Sequence, residues 1–246
     1  MKPTRELEQR RILEILRRGR LSLQGQFMNS SNYTFLVTAV EGGDELVAVY
    51  KPARGATPLW DFEAASLPRR EVAAYVVSEA LGWNLVPVTV FRRRAPLGPG
   101  SLQQFIDHDP EYHYFKFTSR HRERLRPAVV FDYLVNNADR KGGHILRDEH
   151  DHLWLIDHGI CFHEEFKLRT VLWDFVGEAI PTGLLEDVEG FLREISDKES
   201  GVYRQLRKLL TEREIAAMAK RAAHLLEIRT FPDPEKFRRP FPYPPV

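Results

Sequence analysis

FDYLVNNADRKGGHILRDEHDHLWLIDHG, residues 131–159, passes from an apolar run through a polar loop into two short apolar stretches. The run begins upstream in RLRPAVVFDYLVNN and reads as one helix. ADRKGGH then gathers Asp139, Arg140, Lys141 and His144 within six residues on a Gly-Gly backbone. HILRD and HLWLID, joined by a DEHD turn, read as paired strands, and the second delivers Asp157 just before His158 and Gly159. A charged loop framed by core elements can aim a carboxylate at a hydroxyl and a cation at a phosphate. A carboxylate at the end of a buried strand is suited to holding Mg²⁺. For each fragment alone, solvated surface charge or a turn-starting aspartate is the ordinary alternative.

Upstream, EGGD at 41–44 separates TFLVTAV from ELVAVYK, the pattern of an antiparallel hairpin. Its second strand ends in AVYKP, where Lys51 can either reach a phosphate as a point charge or snorkel to water. KPARGATPLWDFEAASLP is a long loop. RREVAAYVVSEALGW follows as a helix with Glu71 in its first turn, where an acid also complements the helix dipole, and Gly82 as its stop. VPVTVFRRR and SLQQFI read as strands, RELEQRRILEILRR as an amphipathic opening helix, and the chain after Gly159 as helical to about Glu227. The closing RTFPDPEKFRRPFPYPPV, with six prolines, is expected to lie extended on the surface. A strand-rich first half and a helix-rich second half give an α+β fold in two lobes, a strand-rich N-lobe over 1–106 and a mostly helical C-lobe over 107–246.

Composition narrows the function. The 36 Lys and Arg against 35 Asp and Glu create no global field for nucleic acid or an anionic membrane, so neither is expected as a partner. No apolar run is long enough to span a bilayer, and MKPTRELEQRR lacks the apolar core of a secretory signal, so a cytoplasmic location is expected. The single Cys161 forms no internal disulfide and reads as a buried inert thiol. His150, His152, His158 and His163 come without H-E-x-x-H or paired cysteines, so zinc is not expected. The tryptophans read as packing residues, with Trp60 set apart in the loop beside Lys51.

Taken together, a strand lysine, a helix glutamate, a loop aspartate and an aspartate before glycine form the phosphotransferase set. From Asp139 to His144 is five positions, the spacing of D-x-x-x-x-N in kinase catalytic loops, and D-H-G stands where kinases have D-F-G. LIDHGICF and NADRKGGHIL resemble the IDFG and GDRHxxNIL segments of the phosphatidylinositol 3- and 4-kinases. YKPARGATPLWDF, REVAAYVVSEALGW, FDYLVNNADRKGGHIL and IDHGICFHEEFKLRTVLWDF resemble a bacterial family related to them, over about residues 20–180.

The resemblance implies a protein-kinase-like fold, ATP and Mg²⁺ (or Mn²⁺) as cofactors, and transfer of the γ-phosphoryl group to a hydroxyl acceptor whose nature stays open. It implies that Lys51 binds the α- or β-phosphate, Glu71 holds Lys51, and Asp139 orients or deprotonates the acceptor. Lys141 would offset transferred charge and Asp157 chelate the metal, while adenine lies against Gln103, Gln104, Phe105 and Ile106. Two positions depart from the pattern. His144 replaces a metal-binding Asn, so that one metal site is weakened, Mn²⁺ is preferred, or His144 contacts substrate. As a ligand it would be lost as pH falls through the histidine range near 6.5. No G-x-G-x-x-G covers the nucleotide, leaving Ser30, Ser31 and Asn32 to cap the phosphates. A nucleotide-binding pseudokinase and a nucleotidyl transferase on the same fold are the alternative functions.

Overall fold

The computed structural model describes residues 2–27, 33–54 and 59–246, with side chains from Glu8 onward. Five strands, β1 (Arg20–Gln26), β2 (Phe35–Glu41), β3 (Asp44–Pro52), β4 (Thr89–Arg92) and β5 (Gly100–Gln104), form one antiparallel sheet in the order β1-β2-β3-β5-β4. Gly42 and Gly43 turn β2 into β3 with φ of 60° and 90°, the left-handed values a two-residue hairpin turn of this twist requires. Strand alternation sends Val37, Ala39, Ala48 and Tyr50 into the core. Lys51, next after Tyr50, therefore emerges on the opposite face, together with Val49.

Helix α1 (Lys2–Arg18) buries Ile15 and Leu16 and packs against β2, β3 and β4. Its open end is closed by Arg92, whose Nη1 donates to the carbonyls of Leu16 (2.9 Å) and Gly19 (3.2 Å). Helix α2 (Leu67–Ala80) lies on β4 and β5, and Gly82 at φ 70° stops the chain from continuing it. After α3 (Ser119–Glu123), the apolar α4 (Arg126–Val135) is buried from Ala128 to Val135 and ends at Asn136, φ 54°. Strands β6 (Ile145–Arg147) and β7 (Leu153–Leu155) pair antiparallel, with Leu146 opposite Trp154.

The chain beyond Gly159 departs from expectation. It stays irregular until α5 (Thr182–Ser196), followed by α6 (Gly201–Leu206) and α7 (Glu212–Ile228). Its backbone groups are used elsewhere: Phe162 N–H donates to Val135, Arg169 N–H to Asn137, and the Arg169 carbonyl accepts from Arg140. A segment whose amides bond to a distant loop cannot also close helical turns. The proline-rich segment is also more than a surface extension. Phe237 stacks on Phe166 (5.1 Å between centroids) and Trp173 (5.8 Å), and Thr170 N–H donates to the Pro240 carbonyl. Among the described residues, no helix is long and apolar enough to cross a membrane.

Gly100 allows the two central strands to close beside Lys51. A Cβ there would sit 2.5 Å from the Lys51 carbonyl and 2.7 Å from the Tyr50 ring. Gly100→Ala is expected to lower unfolding free energy by about 1–3 kcal/mol, the usual cost of overpacking. Urea denaturation measures it; an unchanged midpoint would show that the strands part freely.

Candidate active site

Between the sheet and the helical half lies a cleft of about 680 Å³, within the ordinary range for a ligand pocket. Lys51, Glu71, Gln103, Gln104, Phe105, Ile106, Asp139, Lys141, His144 and Asp157 all line it. Ser30, Ser31 and Asn32 lie outside the described residues.

Lys51 leaves β3 on the cleft face and bridges two carboxylates, with Nζ 2.5 Å from Glu71 Oε1 and 3.0 Å from Asp157 Oδ1. Burial alone would strip the ammonium of its proton, but the two carboxylates outweigh it and hold the charge firmly. Glu71 is fixed in turn, because its Oε2 accepts the backbone N–H of His158 at 2.9 Å. One residue earlier, Arg70 ties α2 to the helical half, donating to the Cys161 carbonyl and to Glu214 Oε1, each at 2.5 Å. Glu214 sits in the first turn of α7 and caps it with Thr211. The helix that holds Lys51 through Glu71 is thus tied to the helical half by both of these adjacent residues.

Beneath the cleft, Arg140 is fully buried. Its Nε is 3.0 Å from Asp132 Oδ2, its Nη1 donates to the carbonyls of Ile156 (2.7 Å) and His144 (3.2 Å), and its Nη2 meets His158 Nε2 at 2.7 Å. A guanidinium makes no acceptor bond, so His158 Nε2 accepts there. Arg140 is therefore no phosphate cation, as its place in a polar loop allowed; it is the internal strut of that loop. Asn137 joins it, donating to Asp132 Oδ1 (3.1 Å) and accepting the Asp139 N–H (2.9 Å). Asn136 bonds the His163 and Glu165 carbonyls and the Lys167 N–H. Sequence spacing passed over Asp132, Asn136 and Asn137, whose only signal was polarity at the end of an otherwise apolar helix.

Above this platform the polar side chains converge. Lys141 Nζ is 3.5 Å from Asp139 Oδ2, and His144 Nε2 is 3.3 Å from Asp157 Oδ2. Burial pushes the Asp139 carboxyl up to about 6 against the opposing pull of Lys141. Burial also pushes Asp157 up, but Lys51 and His144 override it and hold the carboxyl far below its usual range. Burial lowers His144 to about 4, with Asp157 resisting. The ring is accordingly neutral over the range where a free histidine titrates.

His144 and Asp157 are the two side chains that could share a divalent cation; among the described residues no group of three or more His, Cys, Asp or Glu is arranged to hold one. His144 Nδ1 lies 3.1 Å from the Asp139 carbonyl, which asks for a proton on Nδ1, and 3.5 Å from the Lys141 N–H, which asks for a lone pair; the Nδ1-protonated tautomer is the one that leaves Nε2 a lone pair beside Asp157 Oδ2. A neutral nitrogen and a carboxylate oxygen aimed into one gap are a usable pair of neighbouring ligands, and the nitrogen suits Mn²⁺ better than Mg²⁺.

The strand residues expected on the adenine side have the following surroundings. Gln103 turns its side chain to Thr89 Oγ1 (2.8 Å). The N–H groups of Gln104 and Phe105 are taken by Val88 and Val47. Ile106 N–H has no hydrogen-bond partner among the described residues. Cys161 is buried, and burial pushes its thiol well up, so it stays protonated. Trp60 is 90% exposed, with Lys167 Nζ 4.7 Å from its ring centre.

A five-stranded antiparallel sheet above a mostly helical half, with a lysine–glutamate pair and two aspartates at their junction, is a two-lobed kinase-like fold. The sequence profile of phosphatidylinositol 3- and 4-kinases matches residues 65–224, and the chain belongs to that family. It is 37% identical to Protein Rv2133c of Mycobacterium tuberculosis across 94% of both chains. It is 34% identical to phosphatidylinositol 4-kinase gamma 4 of Arabidopsis thaliana over 42% of this chain and 23% of the plant protein. A Helicobacter pylori proinflammatory kinase, CtkA, superposes with a TM-score of 0.47 at 13% identity, covering 85% of this chain and 97% of that one.

Arg140→Leu should leave Asp132 buried without its counter-charge and cost about 3–5 kcal/mol. Equilibrium unfolding tests this, and a loss under about 1 kcal/mol would show that water reaches Asp132 instead.

Proposed function

We propose that the protein is an ATP-dependent kinase that transfers the γ-phosphoryl group to a hydroxyl of its acceptor. The observation that carries the reading is the convergence of Lys51, held by Glu71, with Asp139 and Asp157 on one cleft. In this reading Lys51 is charged and pre-positioned to bind α- or β-phosphate oxygens. Ile106 N–H offers a donor to the adenine edge. Asp139, with a carboxyl pushed up to about 6, accepts the acceptor's hydroxyl proton near neutral pH. Lys141 lies beside it and offsets charge on the phosphoryl group in transfer. Asp157 and His144 would hold a divalent cation, which when bound neutralises charge on the β- and γ-phosphates. We place the protein in the cytoplasm and expect no nucleic acid among its partners.

Three outcomes test the reading. ATP with Mg²⁺ or Mn²⁺ should raise the melting temperature, since a ligand at 100 times its Kd adds about 2.7 kcal/mol to the native state. No shift at millimolar ATP with either metal would defeat it, and a shift without turnover would point to a nucleotide-binding pseudokinase. Lys51→Ala should stay folded yet lose about a hundredfold or more in turnover, as phosphate positioning is lost; unfolding would assign Lys51 to structure instead. In the pH profile of turnover, Asp139 acts as the carboxylate, which is present above its pKa and removed as pH falls through about 6. His144 stays neutral down to about 4, so His144→Asn should leave the limb near 6 in place. A limb that moves with His144→Asn would give the titration to the imidazole.

A further inference from the structure

We infer that the proline-rich segment supports the active site from outside it, and that residues 240–246 position the catalytic loop through backbone hydrogen bonds. The inference rests on the kinase reading for its kinetic consequence only. Gly142 directly follows Lys141, and its N–H donates to the Pro245 carbonyl at 2.8 Å. Five residues earlier in the segment, the Pro240 carbonyl accepts the Thr170 N–H at 2.9 Å. Thr170 is itself bridged to Arg140, whose N–H donates to the Arg169 carbonyl and whose carbonyl accepts from Val171. The loop bearing Asp139 and Lys141 is therefore held on two sides, by residues 169–171 and by the proline-rich segment, and that segment also grips residues 169–171.

The contact is built. A Cβ on Gly142 would stand 2.8 Å from the Phe115 ring, so glycine lets that ring close on the loop, and the Pro245 carbonyl lies within van der Waals contact on the same side, at 3.6 Å. Proline suits the other partner, because its ring fixes φ and removes an N–H that would need a bond of its own. The carbonyls of Pro240 and Pro245 are then held at lower entropic cost than those of a freer chain. Aromatic packing fixes the approach: Phe237 lies on Phe166 and Trp173, and Phe241 meets Trp173 edge-on at 6.4 Å. None of these residues lines the nucleotide cleft, so the segment acts through Lys141 and Asp139 and not on ATP.

The test compares the full chain with a variant lacking residues 240–246, by amide hydrogen exchange, ATP binding with Mn²⁺, and turnover. Gly142 and Thr170 lose a partner trivially. The decisive amides are Asp139, Arg140 and His144, whose partners are Asn137, Arg169 and Lys141 and lie outside the segment. They should exchange about tenfold faster or more in the variant, while residues 35–52 and 67–80 keep their protection. The Kd for ATP should hold, and kcat should drop about tenfold or more at unchanged KM for ATP. Unaltered exchange at those three amides, or a uniform rise across the chain, would overturn the inference, as would unaltered kcat. If the full chain lacks turnover, the kinase reading fails while the exchange result still decides the positioning. Should the deletion not fold, Phe237→Ala, which loosens the aromatic dock and keeps the backbone, carries the same readouts.

Discussion

One guanidinium holds this candidate active site in shape. Arg140 is closed off from water, and its charge is compensated by Asp132 on α4. Its remaining donors bind the carbonyls of His144 and Ile156 and the ring of His158. Those four points belong to the helix before the Asp139 loop, the end of the loop, the exit from β7, and the D-H-G turn. A planar group with five donors in a fixed fork can satisfy such a set at once; an ammonium with three could not. The separation between Asp139 and Asp157 follows from where this fork sends its bonds, and so does the gap between Asp157 and His144.

From that platform the constraint travels upward through Glu71. One carboxylate oxygen receives the His158 N–H and the other receives Lys51 Nζ, so a single side chain couples the turn below to the sheet above. Arg70 repeats the coupling on the outer side of α2 through Cys161 and Glu214. Adjacent residues on one helix thus make parallel links to the same half of the molecule, one to the groups lining the cleft and one to scaffold. A buried ion pair such as Arg70–Glu214 adds little net stability over an apolar pair, but it fixes geometry, because each partner left alone would be a buried charge.

Local features were the legible ones. The Gly-Gly hairpin, α2 with its glycine stop, the apolar α4 and the spacing of Asp139, His144 and Asp157 each leave a short-range pattern, and the structure brings the residues so singled out to one cleft. Long-range backbone pairing leaves no such mark. Nothing in KLRTVLW says that its amides will bond residues some thirty positions earlier, which is why a helix was expected where an irregular segment lies. Nor does FRRPFPYPPV announce its carbonyl contacts with Gly142 and Thr170, since a carbonyl belongs to every residue type. Arg140 was left without a role for a related reason: composition gives a charge, and only packing decides whether it faces a ligand or the interior.

Asp157 carries a backbone angle that has a consequence beyond its charge. Its φ of 61° lies in the left-handed region, which costs most residues roughly 1–2 kcal/mol but is eased for Asp and Asn by their short polar side chains. The position is thus restricted twice over, by the anion the proposed chemistry asks for and by the main-chain turn that aims it. Elsewhere on a protein, aspartate and glutamate often interchange through neutral drift. Here the longer acid would lose the turn and asparagine would lose the anion, leaving aspartate as the one side chain that satisfies both.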